Sequence, residues 1–453
     1  MRIGIALLVI SDLLIRIADL KAHYTDEGIW PVELIYNFGW NPGYWSIHAL
    51  NGSCILQLCL FSLHILFALC LLLGFKTRFF TVLVWLFTIS LHNRNLFVLQ
   101  AGDDLLRLVL LWGIFLPWQA HYSLDAKRRP FRYKQSYPAN FGYLLLIASV
   151  YFFSANLKTS AHWLGEGSAA YYALSLEQLR LPIGEWLYPY PTLLKLLTWL
   201  VLLSEYLIAP LILFPSKNGK LRFTAFLILF FLHLGIGLTL YVGLFFIIGI
   251  VSAIGLLPGF VMDRLEKTCK LKNLRFPSKP GTSVVGIKIK SIVCAFLIFL
   301  CLLINLGTVN WFPYEMQDEL AYPSNALRLN QYWGMFSPGV LKDDGWFVFE
   351  GRDSIGRQWD LKRNEDYVDY TKPKRIVSQY TSDRWRKLAE NMQSDRYTFL
   401  RPLYCKYILH QWNLRHPEKK LFSLKVCFMQ KENLPDYKST PPVKMLHCLC
   451  YDH

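Results

Sequence analysis

Residues 141–163 read FGYLLLIASVYFFSANLKTSAHW, and the reading of this stretch decides the fold. Phe141 to Leu157 carries no charge, and Lys158 then places one amine where hydrocarbon gives way to water. An apolar run of this length reads as a membrane crossing. An ionisable side chain at that depth is costly and marks a candidate functional site. Partial desolvation brings an amine towards the range in which it can act as a base. The competing reading is a lysine that snorkels to the interface from a helix end.

The remainder of the chain repeats the pattern. Of its 453 residues 53% are hydrophobic and only 18% charged, against roughly 25% charged in an average soluble domain. The apolar residues fall into blocks: Ile3–Leu20, Cys54–Phe75, Phe79–Leu91, Leu105–Trp118, Phe141–Leu157, Thr192–Phe214, Phe223–Leu257 and Ile292–Val309. Phe223–Leu257 is too long for one crossing at about 20 residues each. Read as two, with a turn between Gly237 and Gly243, it brings the total to nine. The expected fold class is therefore mainly α, a polytopic helical membrane bundle over residues 1–309.

The net charge of +16 comes largely from loops beside the apolar blocks, at 75–79, 120–137, 215–222 and 259–290. That is the distribution of a positive-inside topology, and it argues against nucleic acid as a partner. It puts the N-terminus in the cytoplasm. Lys158, the connection Trp163–Pro191 with its Glu166, Glu177 and Glu185, and everything from Asn310 onward then lie on the periplasmic or lumenal side.

Residues 310–453 read as a small α+β extramembrane module. GWFVFEGRDSIGRQWDL alternates around a DSIG turn and predicts a β-hairpin. RWRKLAENM and LRPLYCKYILHQWNL predict helices, and KLFSLKVCFMQKE a strand. None of the ten cysteines forms a CxxC pair, so no zinc or other metal site is indicated. Cys405, Cys427, Cys448 and Cys450 lie in the module, where an oxidising compartment permits disulfides.

Other charges inside apolar blocks are candidates as well. Asp12, Arg16 and Asp19 share one helical face and either compensate one another or hold a ligand, the latter as a transporter would. Asp103 and Arg107, at i and i+4, are expected to pair. Glu205 has no basic residue one turn away in its own block, so it either finds a partner on another helix, for which His233 in FFLHLGIG of the next block is the obvious candidate, or is protonated. No phosphate-binding loop, nucleophile elbow or HExxH is present, which leaves hydrolase and ATPase readings without support.

Taken together these stretches resemble the HTTM superfamily, the transmembrane domain of vitamin K-dependent gamma-carboxylases and their bacterial relatives. The resemblance rests on RIADLKAHYTDEGIWP, on HNRNLFVLQAGDDLLRLVLLWGIFLPWQAHYSLDA, on YFFSANLKTSAHWLGEG, on LHLGIGLTLYVGLF and, more loosely, on YWGMFSP. It covers about residues 1–260. It implies that Lys158 is the base in oxygenation of a quinol, reduced vitamin K or menaquinol, with oxygen and carbon dioxide as co-substrates. It also implies an exported peptide as the molecule modified. His233, with Glu205 and Trp163, would support the quinol pocket. Where the family uses a histidine ahead of its YSLDA-like signature, this chain has Arg94, with His92 two residues earlier, and these would orient the substrate. The alternative is a non-enzymatic membrane factor for export or maturation of a secreted peptide.

Overall fold

The computed structural model describes residues 1–128, 137–216, 218–268 and 284–452. Parts of the basic stretches at 120–137, 215–222 and 259–290 lie outside the described residues. Among the described residues nine helices occupy the predicted apolar blocks: α1 (Arg2–Ala18), α2 (Cys54–Leu73), α3 (Thr77–Arg94), α4 (Ala101–Phe115), α5 (Tyr137–Leu157), α6 (Pro191–Leu213), α7 (Lys220–Thr239), α8 (Phe245–Ala253) and α9 (Val284–Leu306). Among the described residues five of these, α2, α5, α6, α7 and α9, are long and apolar enough to cross a membrane. A sixth candidate is the bent pair Phe245–Leu256 and Gly259–Thr268, whose halves meet at 106°.

Local chemistry sets the helix ends. The Ser53 hydroxyl accepts from Leu56 N to open α2, and Gly74 closes it at φ 69°. A side chain at Gly74 would be strained by that angle and would strike Arg2 Nη1 at 2.1 Å. The long apolar block breaks after Thr239. There the connector supplies the missing partners: Leu181 N donates to Thr239 O at 2.9 Å and Tyr241 N to Leu179 O at 2.7 Å. An irregular backbone survives in an apolar setting only when its groups are satisfied in this way.

α5 is the centre of the bundle, packed against α6, α9 and α4. Its apolar window is 61% buried, whereas those of α7 and α9 are only 17% and 22% buried. α6, α7 and α9 therefore present Leu196, Leu203, Phe231, Ile292 and Phe299 outwards. Helices that expose so many large apolar side chains are stable against lipid or another protein.

The C-terminal module is a four-stranded antiparallel sheet in the order β2-β1-β3-β4. Its strands are β1 (Asp343–Arg352), β2 (Gln358–Asp360), β3 (Ser423–Glu432) and β4 (Val443–Tyr451), with α10 (Asp383–Gln393) and α11 (Leu400–Arg415) inserted between β2 and β3. The DSIG hairpin, both helices and β3 follow the sequence reading, and β4 is an addition to it. The division at 309/310 is not a break in packing, because buried residues from Ile5 to Cys450 join one apolar cluster.

A polar junction ties the connector to the sheet. Glu177 Oε1 accepts from Lys431 Nζ at 2.7 Å and Oε2 from Lys372 Nζ at 3.0 Å, while Glu177 N donates to Asp344 Oδ2 at 3.0 Å. Arg180 Nη2 also lies 3.9 Å from Glu177. Burial alone would raise the Glu177 carboxyl, but the two ammonium groups outweigh it and hold it below its ordinary value. A depressed carboxyl stabilises the fold above its unfolded pKa and loses that contribution as pH falls through the folded one. Burial shifts Asp344 upwards, so its contribution runs the other way. The difference in stability between wild type and Glu177→Gln isolates Glu177. We expect that difference, followed by thermal unfolding in detergent, to be largest at neutral pH and to vanish in acid. A difference independent of pH would refute the assignment.

Candidate functional site

Lys158 follows α5 directly and does not snorkel outwards. It is 3% exposed, and its Nζ turns back along the helix to Ser154, donating to Ser154 Oγ at 2.6 Å and Ser154 O at 3.3 Å. Across the helix interface it meets Glu205 of α6, at 3.0 Å from Oε1 and 2.8 Å from Oε2. The Ser154 hydroxyl in turn donates to Glu205 Oε1 at 3.2 Å. Trp163 lies beside the amine, 5.1 Å from Nζ to the ring centroid.

The segment after the last apolar helix covers this group. Trp163 Nε1 donates to Phe336 O at 2.9 Å, and Ser160 N donates to Pro338 O at 3.0 Å. The YWGMFSP motif therefore closes over the lysine from about 180 residues away in sequence. Trp163 belongs to a satellite apolar cluster with Tyr172, Leu174, Leu194, Leu240 and Val340. Lys158 thus stands at the edge of an apolar patch, with its charge opposed by one carboxylate.

The expected Glu205–His233 pair is not formed. Glu205 faces α5 and takes Lys158, whereas His233 Nε2 is 2.6 Å from Tyr151 Oη, also on α5. His233 packs on α8, where a Cβ at Gly249 would sit 2.2 Å from His233 Cε1. Gly249→Ala is expected to displace the ring and destabilise the protein by about 1–3 kcal/mol through overpacking. An unchanged unfolding temperature would show that the two helices can part freely.

The other predicted charges assemble elsewhere, around a buried four-member group. Arg16 Nε donates to Asp12 at 2.7 Å and Arg16 Nη2 to Asp103 at 2.7 Å. Arg384 of α10 reaches in from the module, 2.6 Å from Asp12 and 2.5 Å from Asp103. Asp103 therefore does not pair with Arg107. As the third residue of α4 it accepts from Gln100 N at 2.8 Å, and Arg107 instead takes Asp104 at 2.8 Å. Nor does Asp19 join Asp12 and Arg16. It lies at the end of α1 and accepts from Ser382 Oγ at 3.1 Å.

His92 and Arg94 belong to this side of the bundle. Arg107 Nη1 donates to His92 Nδ1 at 3.1 Å, which leaves the imidazole proton on Nε2, 3.7 Å from Asp103. Arg94 is wholly buried and donates to Trp30 O at 2.7 Å, while its Nε and Nη2 make no hydrogen bond among the described residues. No hydrogen bond or ion pair among the described residues joins Arg94 or His92 to Lys158. Lys158 is expected as the base and Arg94 or His92 as the residue that orients the substrate, and each has its own bonding partners. Asp12, His92 and Asp103 bring ligand atoms within 4.8 Å of one another. Both carboxylates are already engaged by two guanidinium groups, so the donor set does not suit a metal ion.

Three participants escaped the sequence reading: Ser154, Tyr151 and Arg384. Ser154 was accessible in principle, four residues before Lys158 and hence on the same helical face. No local signal marks Arg384. Comparison with known protein families, curated proteins and solved structures finds no match to this chain. The site must be read from its own geometry.

Proposed function

We propose that this chain is an integral membrane enzyme of the HTTM type, related to the vitamin K-dependent carboxylases, with Lys158 as its base. In this reading it crosses the bilayer nine times, with the N-terminus cytoplasmic and the module periplasmic or lumenal. The observation that carries it is the buried Lys158–Glu205 pair at the edge of an apolar patch, under Trp163 and the Phe336–Pro338 segment. Glu205 gives the proton on Lys158 Nζ somewhere to go without water, and a neutral amine so formed accepts a proton from a weakly acidic hydroxyl. Ser154 holds both groups in register. A bound quinol would supply that hydroxyl and, with oxygen, the base strength to remove a carbon-bound proton before carbon dioxide is captured. In this reading the quinol ring enters by parting the packed apolar residues around Trp163. An exported peptide or protein is the substrate.

One observation favours a second reading, a non-enzymatic factor for export or maturation. The donors of Lys158 are already taken by Ser154 and Glu205, as in a purely structural ion pair. Turnover of reduced vitamin K or menaquinol by purified protein separates the two. Oxygen uptake and epoxide formed by wild type and lost in Lys158→Ala support the enzyme. The absence of both in folded wild type, with and without a glutamate-containing peptide, moves the assignment to the maturation factor.

A further inference from the structure

Three of the module's cysteines meet inside it. Cys405 is wholly buried on the face of α11 that packs along β4. Cys448 and Cys450 alternate along β4 with exposed Leu449 and Tyr451, so both point to the inner face, towards α11. Cys405 Sγ donates to Leu424 O at 3.3 Å, and Leu424 is the β3 partner of Cys450. Cys450 therefore sits across the strand pair from the carbonyl that Cys405 reaches, with Cys448 two residues along on the same face of β4. Cys427 is excluded from the group, because it lies on the other face of the sheet near Lys444, Lys425 and Glu350.

This is not a metal geometry. Among the described residues only Asp12, His92 and Asp103 bring three ligand atoms within 4.8 Å of one another. One thiol on α11 instead faces a strand that carries two, the arrangement that thiol–disulfide exchange uses. Contact with its neighbours pushes the Cys405 thiol up, and the hydrogen bond from Cys405 holds the Cys450 thiol below its ordinary value. Cys450 is thus the better nucleophile of the pair.

We propose that Cys405 forms a disulfide with Cys450 or Cys448, tying α11 to the C-terminal strand and leaving the third thiol placed to exchange with it. The proposal rests on the periplasmic or lumenal placement of the module. The oxidant is an external disulfide, met as the chain folds and before α11 covers the thiols. The Cys450 thiolate attacks it and releases one thiol, and Cys405 then displaces the second, losing its proton, so that one S–S bond is consumed and one formed. Attack by Cys448 on the Cys405 sulfur moves the bond and frees Cys450. α11 also forms one wall of an aromatic cleft of about 490 Å³, through Tyr404, Ile408 and Trp412, and the bond would fix that wall.

Full-length protein, alkylated as the membranes are dissolved in denaturant so that buried thiols react, tests this by peptide mapping without reductant. The expected result is the Cys405 peptide joined to the C-terminal peptide. The link should survive Cys448→Ser or Cys450→Ser, be lost in the double variant, and be unaffected by Cys427→Ser. A parallel sample is reduced in denaturant and refolded in detergent with glutathione disulfide, because the three thiols are buried once the module has folded. Three alkylated thiols from membranes together with a link formed by glutathione disulfide would overturn the outer-face placement and leave the pairing intact. Three free thiols under both conditions would overturn the pairing itself.

Discussion

Arg384→Met is expected to loosen the C-terminal module from the helical bundle and to destabilise the protein by about 3–5 kcal/mol, the usual consequence of removing one partner from a buried ion pair. In wild type two aspartates, Asp12 and Asp103, face two guanidinium groups, Arg16 and Arg384, and the group is neutral. Arg384 alone comes from the module, and its Nη1 also donates to Val98 O at 2.8 Å. Without it two buried carboxylates share Arg16, and neither can turn to water. Unfolding in detergent should begin at lower temperature, and limited proteolysis should release the module before the bundle is cut. Arg384→Lys keeps the charge without the planar fork that reaches both aspartates, so it should fall between the two. Adding Asp103→Asn to Arg384→Met removes the surplus charge and should recover part of the loss. An unchanged unfolding temperature and protease pattern in Arg384→Met would mean that this group does not hold the module in place.

What the sequence made legible follows from where the information lies. Blocks of apolar residues declare helices by themselves, and the DSIG turn between alternating residues declares a hairpin, so those elements were readable. Lys158 and Trp163 are five residues apart, and their contact follows from a chain that turns just after α5. Pairings between helices depend on how each helix is rotated, which no local pattern encodes. Glu205 was assigned to His233 because the two lie on consecutive blocks, yet α6 turns its carboxylate towards α5. Asp103 was assigned to Arg107 by helical spacing, but its capping contact with Gln100 N points it back along the chain. Asp104, one residue on, is then left in reach of Arg107. β4 follows Pro441 and Pro442 directly, which reads as loop, although its run Cys448–Tyr451 is as apolar as Val426–Met429 of β3 and was legible in principle.

Changes at Lys158 and Glu205 should be strongly coupled, and the coupling separates a structural pair from a working one. Lys158→Met leaves Glu205 buried without a counter-charge, and Glu205→Gln leaves the ammonium with only Ser154. Each should destabilise the protein by about 3–5 kcal/mol, because an unpaired buried charge remains. The double change Lys158→Met with Glu205→Gln removes both charges and should regain most of that loss, a coupling that a double-mutant cycle reads directly. Activity should not follow stability. If Lys158 is the base, both variants that lack it should lose quinol turnover by roughly 10²- to 10⁴-fold, the range of general acid–base catalysis, and the double variant should stay inactive despite its recovered fold. Glu205→Gln keeps the amine and removes its proton acceptor. Its turnover should therefore depend on pH differently from that of wild type, with activity returning as rising pH deprotonates Lys158 directly. A purely structural pair makes the opposite pattern: any function measured would track unfolding temperature across all three variants. A folded double variant that turns over quinol as wild type does would remove Lys158 from the chemistry, whatever the pair contributes to the fold.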